Sequence, residues 1–225
     1  MPARPSLRDV VARLSKHYGA PTKPRTTDPY EQVLLENVAY LVDDERRQQV
    51  WTALRQRVGM APRAILGMSA AALADVIARG GMHAERRAGK VRACAELAQK
   101  IGLGVLRAAV RDEPDRARKL LKRFPGIGDP GADRILLFAG TRATLAPDSN
   151  ALRALVRLGF ADDNGSYAAT YRRVADSVAD QLPDDTAWLT RAHQLLRRHG
   201  QDLCKRSAPL CGDCPLSKHC PASSA

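Results

Sequence analysis

Aromatic residues are scarce in this sequence: three phenylalanines, five tyrosines and two tryptophans among 225 residues. With alanine, leucine and arginine plentiful, that scarcity points to a core of aliphatic side chains on helices rather than between sheets. An all-α fold is the expectation. The 44% of hydrophobic residues suffices for a genuine core in one large domain or two small ones. No run approaches the roughly 18 apolar residues that a bilayer crossing needs, and the N-terminus lacks a continuous apolar signal core. Neither a membrane partner nor export is expected, and a cytoplasmic, nucleoid-associated location is.

Acidic residues are outnumbered, 24 against 36 lysines and arginines, and the formal charge is +12. Such a surface attracts polyanions, of which nucleic acid is the commonest for a soluble basic protein. Cysteine is rare and unevenly placed. Cys94 lies on an apolar stripe with Val91, Leu97 and Ala98 and is read as a core residue, whereas the other four fall within the last 22 positions. In a cytosolic chain such a cluster favours a metal centre over disulfides.

Helical periodicity and cap signals mark about ten helices. The first runs from Ser6, an N-cap, to Tyr18; the second starts at Asp28-Pro29, an N-cap followed by a proline at N1, and continues to about Val42. Others are expected over about 44–57, 69–79, 84–101, 115–123, 131–139, 149–158, 166–181 and 184–199. Between the sixth and seventh stands Phe124-Pro125-Gly126-Ile127-Gly128, a tight glycine turn. Its glycines let the backbone approach a phosphate closely, and the amides opening the next helix favour an anion. No internal repeat is visible.

The late cysteines Cys204, Cys211, Cys214 and Cys220 are spaced C-x6-C-x2-C-x5-C, four soft thiolates on one short loop able to wrap a metal centre. Zinc sites usually pair two C-x2-C knuckles, and only one is present, so the spacing leans towards iron. The run from His199-Gly200 through Pro209, Cys214-Pro215 and Cys220 resembles the [4Fe–4S] loop of the endonuclease III-like family of DNA glycosylases. The turn at Gly126 and Gly128 resembles that family's helix-hairpin-helix, with Phe124 where leucine is usual.

The resemblance implies a two-domain helix-hairpin-helix glycosylase fold with a DNA-facing cleft and a C-terminal cluster loop. Residues 1–27 and 149–225 would form one helical domain, with the cluster loop at 204–220; residues 28–148 would form the other, with the hairpin at about 117–139. Lys205 and Arg206, on the cluster loop, would lie near phosphates. Twenty residues after Gly128 comes Asp148, in register with the family's catalytic aspartate. That carboxylate would stabilise positive charge on the sugar and orient water; as a bare pattern it also fits an N-cap.

Bifunctional members carry a lysine two residues after the hairpin, which forms an imine with the sugar. Here that position is Pro130, which has no amine. MutY-like adenine glycosylases and thymine mismatch glycosylases also lack it and use water. Their D-P-Y-x-x-L-x-x-E pattern is similar to Asp28-Pro29-Tyr30, Leu34 and Glu36, and their D-x-N to Asp148 and Asn150. The resemblance makes Glu36 a proton donor to the base, and its apolar neighbours Val33, Leu34, Leu35 and Val38 are expected to bury it and raise its pKa. Tyr40 or Leu41, and Met82 in Gly81-Met82-His83, are candidates to wedge into the duplex. Asp129 sets a negative charge beside the expected pocket, and Asp43 and Asp44 are odd so near phosphates.

The implied activity is removal of a flipped, damaged or mismatched base from double-stranded DNA without strand cleavage, by a monomer. A catalytically silent binder of damaged DNA is the alternative, and a lyase using a displaced lysine such as Lys122 is a third.

Overall fold

The structure, a computed structural model, describes residues 4–163 and 165–224. It is helical throughout, and among the described residues the only strand-like pairing is an isolated parallel bridge between Tyr40 and Gly81. The chain divides into two compact units, Met1–Pro24 with Arg142–Ala225, and Arg25–Thr141.

The terminal unit begins with α1 (Leu7–Tyr18). Ser6 caps it by accepting from the Asp9 amide, and Leu7, Val10, Val11 and Leu14 form its buried stripe. The central unit then contributes α2 (Pro29–Val38), α3 (Asp44–Arg57), α4 (Pro62–Gly67), α5 (Ala70–Val76), α6 (Ala84–Ile101), α7 (Leu103–Asp112), α8 (Pro114–Leu121) and α9 (Asp129–Phe138). The chain returns to the terminal unit for α10 (Ser149–Arg157), α11 (Tyr167–Val178) and α12 (Thr186–Asp202).

Twelve α-helices among the described residues replace the ten expected, the additions being α4 and α7. α4 has six residues, too few to show a period, and only Gly102, at φ +88°, separates α7 from α6. α7 nevertheless buries Leu106, Ala109 and Val110 at helical spacing. α2 stops at Val38 rather than near Val42, because the next residues leave the helix to pair elsewhere: the Tyr40 amide donates to Gly80 O at 2.7 Å, and Leu41 is left-handed at φ +54°.

The central core is aliphatic, as composition implied, with Leu34, Leu54, Ile65, Leu73, Ile77, Val91, Leu106 and Leu121 fully buried. Truncating any of these leucines or isoleucines to alanine costs about 2–5 kcal/mol. Cys94 is buried among them. In the terminal unit α12 packs on both α10 and α1. Gly200 sets the first of these contacts, since a Cβ there would lie 2.4 Å from Asn150 O.

The unit boundary differs from the expected one. Residues 142–148 belong with the terminal helices, not the central unit. Leu145 and Ala146 are buried, His193 Nδ1 lies 2.9 Å from Ala146 O, and the Tyr167 hydroxyl donates to Pro147 O at 3.3 Å.

Candidate functional site

The hairpin joins α8 to α9 through Lys122 to Gly128. Phe124 and Ile127 are buried and anchor the turn, while Gly126 takes φ +79°, a conformation that a side chain would strain. Asn37 holds the turn from α2, its Nδ2 donating to Val33 O and to Pro125 O, both at 2.9 Å. A Cβ on Gly126 would lie 2.5 Å from Asn37 Oδ1. Gly128 is the N-cap of α9 and supplies no side-chain cap, so the first amides of that helix have no side-chain acceptor of their own. Pro130 follows at N2 and brings neither amide hydrogen nor amine.

The charge of Asp129 is compensated rather than free. Its carboxylate lies 2.5 Å from Lys122 Nζ and 2.9 Å from an Arg118 nitrogen, and the Lys122 ammonium holds that carboxyl below the usual carboxylate range. Arg118 also forks onto the buried Asp133, at 2.6 and 3.2 Å. Two cations and two carboxylates thus tie α8 to α9.

Asp148 is the N-cap of α10, as the plainest reading of its pattern required. Its Oδ1 accepts from the amides of Asn150 (3.0 Å) and Ala151 (2.9 Å), and its Oδ2 accepts from Arg197 Nε at 3.0 Å. The side chain keeps 20% of its exposure, so the carboxylate is fixed in direction without being sealed off. Asn150, the second residue of α10, accepts from Arg153 through its Oδ1 at 3.0 Å.

Glu36 does not stand as an uncompensated buried acid. Val33, Leu34, Asn37 and Val38 form the buried face of α2, and Glu36 falls beside it with 29% of its side chain exposed. Arg134 of α9 grips it as a fork, Nε to Oε1 at 3.2 Å and Nη2 to Oε2 at 2.6 Å. Such a fork satisfies a carboxylate, both of whose oxygens accept, and not a carboxylic acid. Arg134 stands four residues after Pro130, on the same face of α9.

Tyr40 and Leu41 project from the loop after α2, and Met82 from the loop before α6; all three are exposed. The two acids close behind are engaged: Asp43 caps α3 through the Arg46 amide at 2.7 Å, and Asp44 lies 4.0 Å from Arg25.

In the terminal unit all four late cysteines line one cavity of about 160 Å³, beside His199 and Leu216. A single water needs only about 10–15 Å³ of such space. Among the described residues no three His, Cys, Asp or Glu side chains converge as one bound ion requires. Four thiols lining one cavity are a donor set whose chemistry fits an iron–sulfur cluster and zinc alike. Burial pushes the Cys214 and Cys220 thiols up, a cost that metal ligation would remove.

Nitrogen groups from α10, α12 and the cysteine loop itself lie close to these sulfurs. Arg157 Nη1 lies 3.3 Å from Cys204 Sγ, the Leu216 amide 3.4 Å from Cys214 Sγ, and His199 Nε2 3.7 Å from Cys214 Sγ. Burial lowers the His199 pKa to about 4, so the ring is neutral at pH 7; its Nδ1 lies 3.3 Å from the Tyr18 hydroxyl. Arg157 also holds the carbonyls of Lys205 (2.6 Å) and Arg206 (3.1 Å), leaving those two side chains exposed. Arg134, Arg157, Arg197 and Asn37 escaped the sequence reading, because their partners lie 47 to 98 positions away or are backbone atoms.

No protein-family model matches the chain. It is similar to endonuclease III of Rickettsia prowazekii, 32% identical over 107 residues that make up 48% of this chain and 47% of that protein. The chain thus spans about half the length of the rickettsial relatives it matches. Endonuclease III of Thermotoga maritima is similar over 95% of this chain and 89% of its own length, at 25% identity. The adenine DNA glycosylase of Mycolicibacterium smegmatis is 32% identical over 178 residues, 78% of this chain and 54% of that protein. Among solved structures, a trapped endonuclease III–DNA covalent intermediate superposes with a TM-score of 0.76 at 21% identity, over 97% of this chain and 95% of the other. A thermostable thymine-DNA glycosylase gives 0.70 at 17% identity, over 97% and 96%. At these identities the structural likenesses establish the fold.

Proposed function

Because the chain belongs to the endonuclease III-like helix-hairpin-helix superfamily of DNA glycosylases, we propose that it hydrolyses the N-glycosidic bond of a flipped, damaged or mismatched base in double-stranded DNA, without cutting the strand. One observation carries the reading: Asp148 is held in direction by two amides and Arg197 at the start of α10, twenty residues beyond Gly128, while the lyase position holds Pro130.

In this mechanism the hairpin seats a backbone phosphate on the α9 amides and fixes the register of the duplex. Asp148, directed by two amides and Arg197, stabilises the positive charge that develops on the sugar and orients the attacking water. Pro130 offers no nucleophile, and the neighbouring Lys122 is engaged by Asp129, so hydrolysis ends at an abasic site. Glu36 contacts the base as a hydrogen-bond acceptor paired with Arg134, and donates a proton only if the fork opens. Cys204, Cys211, Cys214 and Cys220 would hold a [4Fe–4S] cluster, which would supply structural support rather than an acid, base or nucleophile, on the loop that presents Lys205 and Arg206 to phosphates. The acting form is a monomer.

The Glu36–Arg134 fork favours one second reading, a binder of damaged DNA that has given up acid chemistry. A panel of duplexes containing uracil, thymine mismatches, oxidised bases and alkylated bases, assayed for released free base, separates the two. Release from at least one duplex, lost in Asp148→Asn, is expected; release from none leaves the binder.

A further inference from the structure

Three large apolar side chains of the central unit face solvent together: Tyr40 at 54% exposure, Leu41 at 74% and Met82 at 57%. They sit on two short loops, far apart in sequence, that touch through their backbones. The Tyr40 amide donates to Gly80 O at 2.7 Å. A Cβ on Gly80 would lie 2.2 Å from Val38 O, and one on Gly81 2.2 Å from Tyr40 O. Three successive corners, Leu41 (φ +54°), Gly81 (φ +104°) and His83 (φ +58°), take left-handed backbone. For Leu41 and His83, which carry a Cβ, that conformation is strained, and the surroundings must offset it.

Beneath the junction lies Arg87, in the first turns of α6 and only 5% exposed. Its Nε donates to Met82 O at 3.0 Å. Its Nη1 donates to Val38 O and to Ile77 O (2.9 Å), and its Nη2 to Ala78 O (3.3 Å) and Gly81 O (2.7 Å). A guanidinium has five N–H donors in a rigid plane, and here each meets a backbone carbonyl, one at Val38, the last residue of α2 before the Tyr40 loop, and four between Ile77 and Met82. Lysine has three donors and no plane, so it cannot hold both loops. Close to Met82 in the chain Arg79 and Arg86 are exposed, with Glu85 between them exposed as well, two cations against one acid in a chain of net charge +12, a balance that suits phosphates flanking bases.

We infer that Arg87 is a positioning residue that locks the Tyr40–Leu41 and Met82 loops into one preformed wedge, which enters the base stack of duplex DNA. The inference rests on the DNA-binding part of the proposed function. A wedge already rigid pays no ordering cost when it unstacks a base step.

The test uses the full chain and a duplex carrying a tetrahydrofuran abasic analogue, with 2-aminopurine beside it, against the intact duplex. Wild type is expected to prefer the abasic duplex and to raise 2-aminopurine emission. Arg87→Lys, checked for folding by circular dichroism, should lose about tenfold of that preference and most of the emission change. Its affinity for intact duplex, and the slope of affinity against salt, should stay unchanged because no phosphate contact is removed. An Arg87→Lys variant with wild-type preference and emission overturns the inference, as does equal weakening on both duplexes. Should the variant fail to fold, hydrogen exchange at the Tyr40 amide of the free wild-type protein decides. Protection before DNA is added supports a preformed wedge, and protection only after binding refutes it. A chain that excises a base while Arg87→Lys behaves as wild type loses this inference alone; one that opens the stack but excises nothing loses the proposed function alone.

Discussion

Replacing Asp148 by asparagine separates its two roles, cap and catalyst. Asparagine caps a helix about as well as aspartate, so the bonds from the Asn150 and Ala151 amides survive on the remaining carbonyl oxygen. The other oxygen becomes an NH2 facing Arg197 Nε, which now donates to Asp148 at 3.0 Å. A hydrogen bond between charged groups contributes about 1.5–3 kcal/mol. With side chains only 15% and 20% exposed, little of that is lost to solvent screening. Asp148→Asn should therefore destabilise the fold by about 2 kcal/mol, a fall of roughly 4–8 °C in melting temperature for a chain of this size. Excision should fall much further, by about 10²–10³-fold, because the charge opposite the sugar is gone. The double variant Asp148→Asn, Arg197→Gln gives the new amide an acceptor and should recover part of the stability. It should recover none of the single-turnover excision rate. A double variant that excises within about tenfold of wild type would refute the reasoning and leave Asp148 as a cap alone.

Gly126→Ala meets both a φ of +79° and Asn37 Oδ1 at 2.5 Å. It should cost about 1–3 kcal/mol in denaturant unfolding and weaken binding to duplexes of every sequence alike, as a gel-shift series would read. Cys94, whose pKa burial pushes up to about 12, should stay unalkylated by iodoacetamide at pH 8 in the native protein and react once unfolded; mass spectrometry of the digest reads this directly. Cys211→Ala should lower the iron content of purified protein and bleach its visible charge-transfer absorption, and an unchanged iron-to-protein ratio would exclude Cys211 as a ligand.

Much of this structure is legible from local chemistry. Ser6 and Asp28 cap the helices they were expected to cap, because an N-cap is decided by three or four adjacent residues. The aliphatic core follows from composition, and the hairpin from its two glycines. Four cysteines within 17 positions come to line one cavity because so short a loop has few other places to put them. The misreadings share another origin. α2 ends early because Tyr40 finds a partner at Gly80, forty residues on, which no window around Val42 contains. Glu36 has apolar neighbours in sequence, yet a helical turn carries it off the buried face and Arg134, 98 positions away, supplies its partner. Asp129 looked like an intrusive charge until Arg118 and Lys122 folded over it. Arginine is common enough here that no single one stands out, and its role is set by tertiary reach.

Strand scission, read with and without alkali on the duplex from which base is released, tests hydrolysis without lyase chemistry most directly. Intact strands that break only after hot alkali, with no protein–DNA adduct trapped by borohydride, are the expected result. Scission before alkali, accompanied by a borohydride-trapped adduct, would contradict it and require an amine other than the one Pro130 has replaced.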